Sequence, residues 1–445
     1  MLRTRLATAL CAAAMLGTLA GSAIAQNVPS VNLGKPSAKS KYTLGNLFSM
    51  QELPDGRVIA SDTKEMVFRV VDLAKGDVAV VGKQGDDADS YRMASVVMKL
   101  PGDSLALFDP AGRKLLHVTP AGTVDRFVPL PSMSNNKRIG TPIAMDQHGS
   151  LYFTIPEKFD TVTKALSGSA GLTRLGEGAD ADEPQLTYRT RRADQTALKG
   201  RMPYVFRDAI AVRSDGLMAR VVSDTYQVIW GRNAKEVGRT GPIPYTPIAL
   251  TKEEVQATKD SANEMMKTMM ANAGRGGTST FSSGGASPAM AVGGAGGERT
   301  VVMMGGGGGG GAPVMMGGGG GGMVIRELSA ASAAGGAGGN QVMTTGSINP
   351  ADLPWGDFPE AKPPIPATGN AAVFDASGNL WIARTSKVGD AVPHYDVVAE
   401  GKGLIGRVNL PTGTRLLGFG KGVVYLARTD EGSDWLERYA MPKLQ

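Results

Sequence analysis

Ionisable side chains recur at fixed distances from a set of glycines along this 445-residue chain, and its chemistry has to come from them. Asp62, Asp109 and Asp430 each close a short apolar run, and Asp224 stands two residues past its own. A ring of carboxylates suits a metal or a cationic substrate. Aspartate at such a place also caps a turn by accepting backbone N–H groups, and recurrence of one residue type at one repeat position favours the cap. Arg384 and Arg428 occupy matching positions, six residues after Gly378 and Gly422. Two arginines on one face can clamp an anion with paired hydrogen bonds; the plainer expectation is pairing with loop carboxylates such as Asp430 or Glu431. Arg384, Arg428, Asp430 and Asp62 are the candidate binding residues.

Other chemistries have thinner support. The three histidines, His117, His148 and His394, have neither each other nor a cysteine at metal-ligand spacing. There is no G-x-S-x-G elbow, phosphate-binding loop or H-E-x-x-H helix, and no catalytic residue is assigned. Glu52, Asp146 and Asp208 fall on predicted inner strands, where a metal-dependent hydrolase could gather oxygen ligands from separate repeats; hydrogen-bonded channel lining is the ordinary alternative. Met265, Met266, Met269 and Met270 stand on a predicted helix, and Met303, Met304, Met315, Met316 and Met323 stud a glycine tract. Thioethers suit Cu(I), but methionine is equally a gap filler in packing. No cofactor is firmly implied.

These residues are positioned by a hairpin written six times. Ala371–Arg384 shows it plainly: an apolar strand, a Ser-Gly turn, then a strand carrying Leu380, Trp381 and Ile382. Variants span Met50–Asp62, Val97–Asp109, Ile143–Ile155, Ile210–Val222 and Leu416–Arg428. The turn glycines are Gly56, Gly102, Gly149, Gly216, Gly378 and Gly422, spaced by 46, 47, 67, 162 and 44 residues. Three of these intervals match the roughly 40–50 residues of a propeller blade. Two further strand candidates follow most copies, giving the four strands of a blade. The fold expected is all-β: a six-bladed β-propeller. The last copy lacks a fourth strand, and an N-terminal strand at Val28–Leu33 is expected to complete it and remove two open sheet edges.

In chain order, residues 1–25 read as a secretory leader, with Arg3 and Arg5 before an apolar run and Ala23-Ile24-Ala25 as the cleavage site. Cleavage removes Cys11, the only cysteine, so the packed sheets alone must hold the ring. Residues 26–250 carry the closing strand and blades 1–4. Between Pro156 and Ala170 a polar segment with helical character interrupts the third blade. Residues 251–350 form an insertion between blades 4 and 5: a helix opened by a Thr251–Glu254 capping box and reaching about Asn272, then glycine-rich sequence expected to be disordered. Residues 351–445 hold blades 5 and 6. Without Arg3 and Arg5 the chain has 45 basic and 41 acidic residues, a net charge of +4. That mild bias, with no basic stripe interleaved with aromatics, argues against nucleic acid. The densest basic spot, Arg189–Arg192, reads as a solvated loop. Nothing after the leader is apolar for long enough to span a membrane.

PDGRVIASD, DASGNLWIAR and above all the run Tyr395–Tyr439 resemble bacterial secreted six-bladed β-propellers of the NHL-like type. The likeness covers roughly 26–250 and 351–445, and the glycine tract departs from it. It implies the fold and no activity, since related propellers include both gluconolactonase-like metal hydrolases and pure binding scaffolds. The function expected is an exported, monomeric binding or interaction module for a protein or small molecule, periplasmic or secreted. The alternatives are a lactonase-like hydrolase with a divalent cation in its channel, and Cu(I) binding by the methionine-rich insertion.

Overall fold

A strand can be apolar along its whole length only if both of its faces are covered, and the six hairpins satisfy this by standing side by side around a ring. The computed structural model describes residues 28–130, 140–155, 157–160, 165–175, 184–192, 204–273, 280–281, 301–302, 355–367 and 370–444. Residues 1–27 and the glycine tract beyond residue 302 lie outside them.

Each hairpin supplies the inner two strands of a four-stranded antiparallel blade. Blade 1 is Leu47–Glu52, Val58–Asp62, Val67–Asp72 and Asp77–Val80. Blade 2 is Val97–Lys99, Leu105–Asp109, Lys114–Val118 and Val124–Pro129. Blade 3 is Pro142–Met145, Leu151–Ile155, Ser169–Leu175 and Leu186–Arg189. Blade 4 is Ala209–Val212, Met218–Val222, Gln227–Arg232 and Lys235–Arg239. Blade 5 is Ala372–Phe374, Leu380–Ala383, His394–Ala399 and Gly403–Asn409. Blade 6 has three strands of its own, Thr414–Gly420, Val423–Asp430 and Ser433–Ala440. The tight inner turns force positive φ, as at Gly56 (85°) and Gly378 (83°), a region open to glycine and costly for other residues.

Side chains alternate between the two neighbouring blades along each second strand. Val58 and Ala60 pack toward blade 6 while Ile59 packs toward blade 2. Leu380 and Ile382 face blade 4, and Trp381 between them faces blade 6. The result is one apolar cluster at each of the six seams between adjacent blades, the seam between the last blade and the first included. That set of seams is what makes the assembly a ring.

An N-terminal strand does close the ring, but it is not the stretch the sequence suggested. Strand β1, Ser30–Asn32, lies parallel to Gly403–Asn409 as a fifth strand of blade 5. Strand β2, Ala38–Lys39, is the one that pairs antiparallel with Ser433–Ala440 and completes blade 6. Two paired residues are too few for any periodicity to reveal. Backbone bonds from Ser37, Ser40 and Leu44 to Arg438, Leu436 and Asp434 carry the pairing past them.

The insertion leaves as foreseen. Helix α1, Lys252–Ala273, opens on the capping box: Thr251 N donates to Glu254 Oε2 at 3.0 Å, and Glu254 N to Thr251 Oγ1 at 3.2 Å. The described residues of the polar segment of blade 3 are not helical: Phe159–Asp160 pairs with Ala165–Leu166. Among the described residues no helix is long and apolar enough to cross a membrane.

Candidate functional site

Strand direction gives the ring two unlike faces. One carries the short turns joining strands 1–2 of every blade and strands 3–4 of blades 1, 2, 4 and 5. The other carries the 2–3 loops, the connections between blades and the root of α1. The first is the turn face and the second the loop face.

The turn face is stitched shut. In blades 3 and 5 an aspartate three residues before the turn glycine spends both carboxylate oxygens on its own hairpin. Asp146 Oδ1 accepts the N–H groups of His148 and Ser150 at 2.9 Å, and Oδ2 accepts the Tyr152 hydroxyl at 3.2 Å. Asp375 does the same for Ser377, Asn379 and the indole N–H of Trp381, the last at 3.0 Å. Blade 6 has Phe419 where that aspartate would stand, and Glu52 of blade 1 reaches across to serve instead. It accepts Lys421 N–H and the Tyr425 hydroxyl, both at 2.7 Å. Burial and the nearby Glu52 charge push that hydroxyl far above its usual pKa. Other links run from turn to turn: Gln147 N to Ser214 O, Arg57 to Ala121 O, and Arg213 to Glu400.

Asp208 is at the opposite end. It precedes the inner strand of blade 4 on the loop face, nearly buried, and accepts Arg189 N–H and Ser223 N–H at 3.0 Å. The three proposed metal-ligating carboxylates, Glu52, Asp146 and Asp208, are therefore not brought together. Among the described residues no group of three or more His, Cys, Asp or Glu is placed to hold a metal ion. The site does not fit a channel cation built from these residues.

On the loop face, Asp62 is fully buried and does what a turn cap does. Its two oxygens accept N–H groups from Gly45, Asn46, Lys64 and Glu65, and Arg69 Nε at 2.9 Å. Burial alone would raise its pKa; the bond from Arg69 and the backbone donors outweigh it and hold the group below 3.8. Asp109 repeats the arrangement with Arg92, Met93, Ala111 and Gly112. Asp224 pairs with Arg189, and Asp430 sits exposed at the tip of the blade 6 hairpin, opposite Ser433.

The matching arginines differ from expectation in their partners and from each other in how far they are engaged. Neither pairs with Asp430 or Glu431, because each lies beside the third strand of its own blade. Arg428 Nε donates to Glu437 Oε1 at 2.8 Å, with Thr412 O and the Tyr439 hydroxyl taking its other nitrogens. The Glu437 bond raises its pKa. Among the described residues the Arg384 side chain has only Asp396, at 3.7 Å. That fully buried carboxylate already binds Arg407 Nε at 3.1 Å and the Tyr226 hydroxyl at 2.6 Å. Beside Arg384, Thr385 Oγ1 is buried with no hydrogen-bond partner among the described residues. The run Arg189–Arg192 is not a solvated loop either: Arg191 makes a two-pronged pair with Glu157, and Arg189 is half-buried between Asp208 and Asp224. Sequence reasoning missed Asp375, Asp396 and Arg407. Only Asp375 had a local signal, an aspartate six residues before an aromatic in two copies.

No protein-family model matches the chain, and no curated protein matches it. Among solved structures it is similar to regucalcin, a calcium-binding protein of Agrobacterium tumefaciens, at 10% identity over 94% of this chain and 98% of that one, TM-score 0.36. It is similar to virginiamycin B lyase of Staphylococcus aureus at 11% identity over 92% and 99%, TM-score 0.35. A protein of Bacteroides fragilis described as exported gives 7% identity over 93% and 99%, TM-score 0.43. These likenesses add nothing to the propeller that the sheets display by themselves.

Proposed function

We propose that this chain is an exported binding module that engages an anionic group of a protein or small-molecule partner through the loop face of its propeller. The observation that carries this reading is the charge imbalance at Arg384. One buried carboxylate, Asp396, faces two guanidinium groups; Arg407 takes the close contact and Arg384 is left at 3.7 Å. A half-buried arginine with spare donors, next to an unsatisfied buried hydroxyl at Thr385, is a ready contact for a carboxylate or phosphate. Arg428, by contrast, has three partners already. Export is supported by the leader-like residues 1–25 and by the resemblance to secreted propellers, and single copies suffice because each seam is filled within one chain.

The test is a thermal-shift and calorimetric comparison of the mature chain with inorganic phosphate and with citrate, repeated in Arg384→Ala and Arg428→Ala. Binding to the wild type that weakens at least tenfold in Arg384→Ala, with the unliganded melting temperature unchanged, is the expected result. Absence of saturable binding, or equal binding by Arg384→Ala, defeats the reading. Recovery of the full chain from the cytoplasm with its leader intact would defeat the export part of it.

A further inference from the structure

Closing the ring creates a pocket that a preformed ring would not have. Residues 42–45, which follow β2, face Lys64, Glu65 and Arg69 of blade 1 across a cavity of about 370 Å³, with Ser433 of blade 6 on its wall. Its inner side is built to close tolerance. A side chain on Gly45 would place its first carbon 2.1 Å from Asp62 Oδ1, so only glycine lets the closing segment lie against that carboxylate.

Asp62 in turn fixes Arg69. The carboxylate is fully buried and locked by four backbone N–H groups, and it grips the guanidinium at Nε, 2.9 Å away. The two terminal nitrogens of Arg69 have no protein acceptor among the described residues. A guanidinium pinned at Nε keeps its fork rigid, so a carboxylate can dock on the remaining pair without ordering the side chain first. Lys64, exposed at the rim, adds a second cation with no side-chain partner among the described residues. Tyr42 is 57% exposed, high for a large apolar ring, and offers a flat surface at the same pocket.

We infer that this seam pocket binds a small organic carboxylate, with the acid group on Arg69 and Lys64 and an apolar body against Tyr42. The site stands apart from Arg384 and goes beyond the loop-face reading. Its walls come from the closing segment, the first blade and the last blade, so an occupant binds only the closed ring and stabilises it.

The probe is benzoate, compared with its uncharged relative benzamide and with inorganic sulfate at constant ionic strength, on the full mature chain. Saturable benzoate binding with a rise in melting temperature, absent for benzamide, is expected. Lys64→Ala and Tyr42→Ala should each weaken it at least tenfold at an unchanged unliganded melting temperature. Arg69→Lys, which keeps the charge and loses the fork, should abolish it; its unliganded melting curve shows whether it folds, and the two surface variants carry the test if it does not. No saturable benzoate binding overturns the inference. Equal responses to benzoate and benzamide, or to benzoate and sulfate, overturn the carboxylate assignment. Benzoate affinity that falls in Arg384→Ala and not in Lys64→Ala moves the anion to blade 5 and overturns the seam site.

Discussion

At the scale of single residues, the buried aspartates decide more than the histidines do. Asp375 holds two part-buried backbone N–H groups, the Asn379 side-chain amide and the fully buried Trp381 indole. Asp375→Ala strands the buried Trp381 indole donor, and a buried unsatisfied donor costs about 1–3 kcal/mol. Urea denaturation should therefore show a loss of about 1–3 kcal/mol, while Tyr152→Phe, which removes one donor to Asp146 and an acceptor for Arg174, should cost under ~1.5 kcal/mol. The pH response follows from Asp62. Its folded pKa lies below 3.8 because Arg69 and the backbone donors overcome the opposing effect of burial. A carboxyl depressed on folding contributes stability that is present above the unfolded value and is lost as pH falls through the folded one. The urea midpoint should stay level down to about pH 5, drop below about pH 4, and drop less steeply in Asp62→Asn. The capping role of Asp62 was legible, because an aspartate at the end of a strand and before a turn has few other uses. The partners of Arg384 and Arg428 were not, because they come from the neighbouring strand and its register, which the local sequence does not encode.

At the scale of elements, the hairpins could be read because each writes its turn glycine and its apolar alternation within about a dozen residues. The root of the insertion shows what could only half be read. The capping box predicted where α1 begins, and nothing in the sequence linked Glu254 to Lys362, more than a hundred residues on. In the structure Glu254 Oε2 caps Thr251 while the carboxylate pairs with Lys362, both side chains almost fully buried. Backbone bonds from Leu250 to Glu360 and from Lys362 to Ile248 bring the two ends of the insertion side by side. A buried ion pair is weak evidence of net stabilisation, but breaking it from one side leaves an uncompensated charge at a cost of about 3–5 kcal/mol. Lys362→Met should accordingly lower the unfolding free energy by that order. Glu254→Gln combined with Lys362→Met should recover most of it, since no charge is then left buried. Equal losses in the single and double variants would show that the pair is merely adjacent.

At the scale of the whole molecule, the ring depends on a join of only a few residues. Five seams are bridged by continuous chain, whereas blade 6 meets blade 1 through the seam cluster and through residues 37–47. The closing stretch is anchored twice. Asn409 of blade 5 donates to Asn32 Oδ1 at 2.7 Å while its own Oδ1 faces His394, and Ala38 stands opposite Arg438 across the last sheet. Opposed residues of an antiparallel pair sit within the reach of a disulfide, and residues 12–445 have no cysteine to interfere. Ala38→Cys with Arg438→Cys therefore tests the closure directly. A cross-link spanning nearly the whole chain removes unfolded-state entropy worth up to about 5 kcal/mol in the loop-closure account, but only if β2 already lies where the native pairing puts it. The oxidised variant should form its bond without denaturant and melt well above its reduced form, while the reduced form should match the wild type within a degree or two. Removing residues 28–41 should do the reverse, opening the outer edges of blades 5 and 6 and giving association that grows with protein concentration. A truncated chain that stays monomeric with an unchanged melting temperature would mean the seam cluster alone holds the first and last blades together.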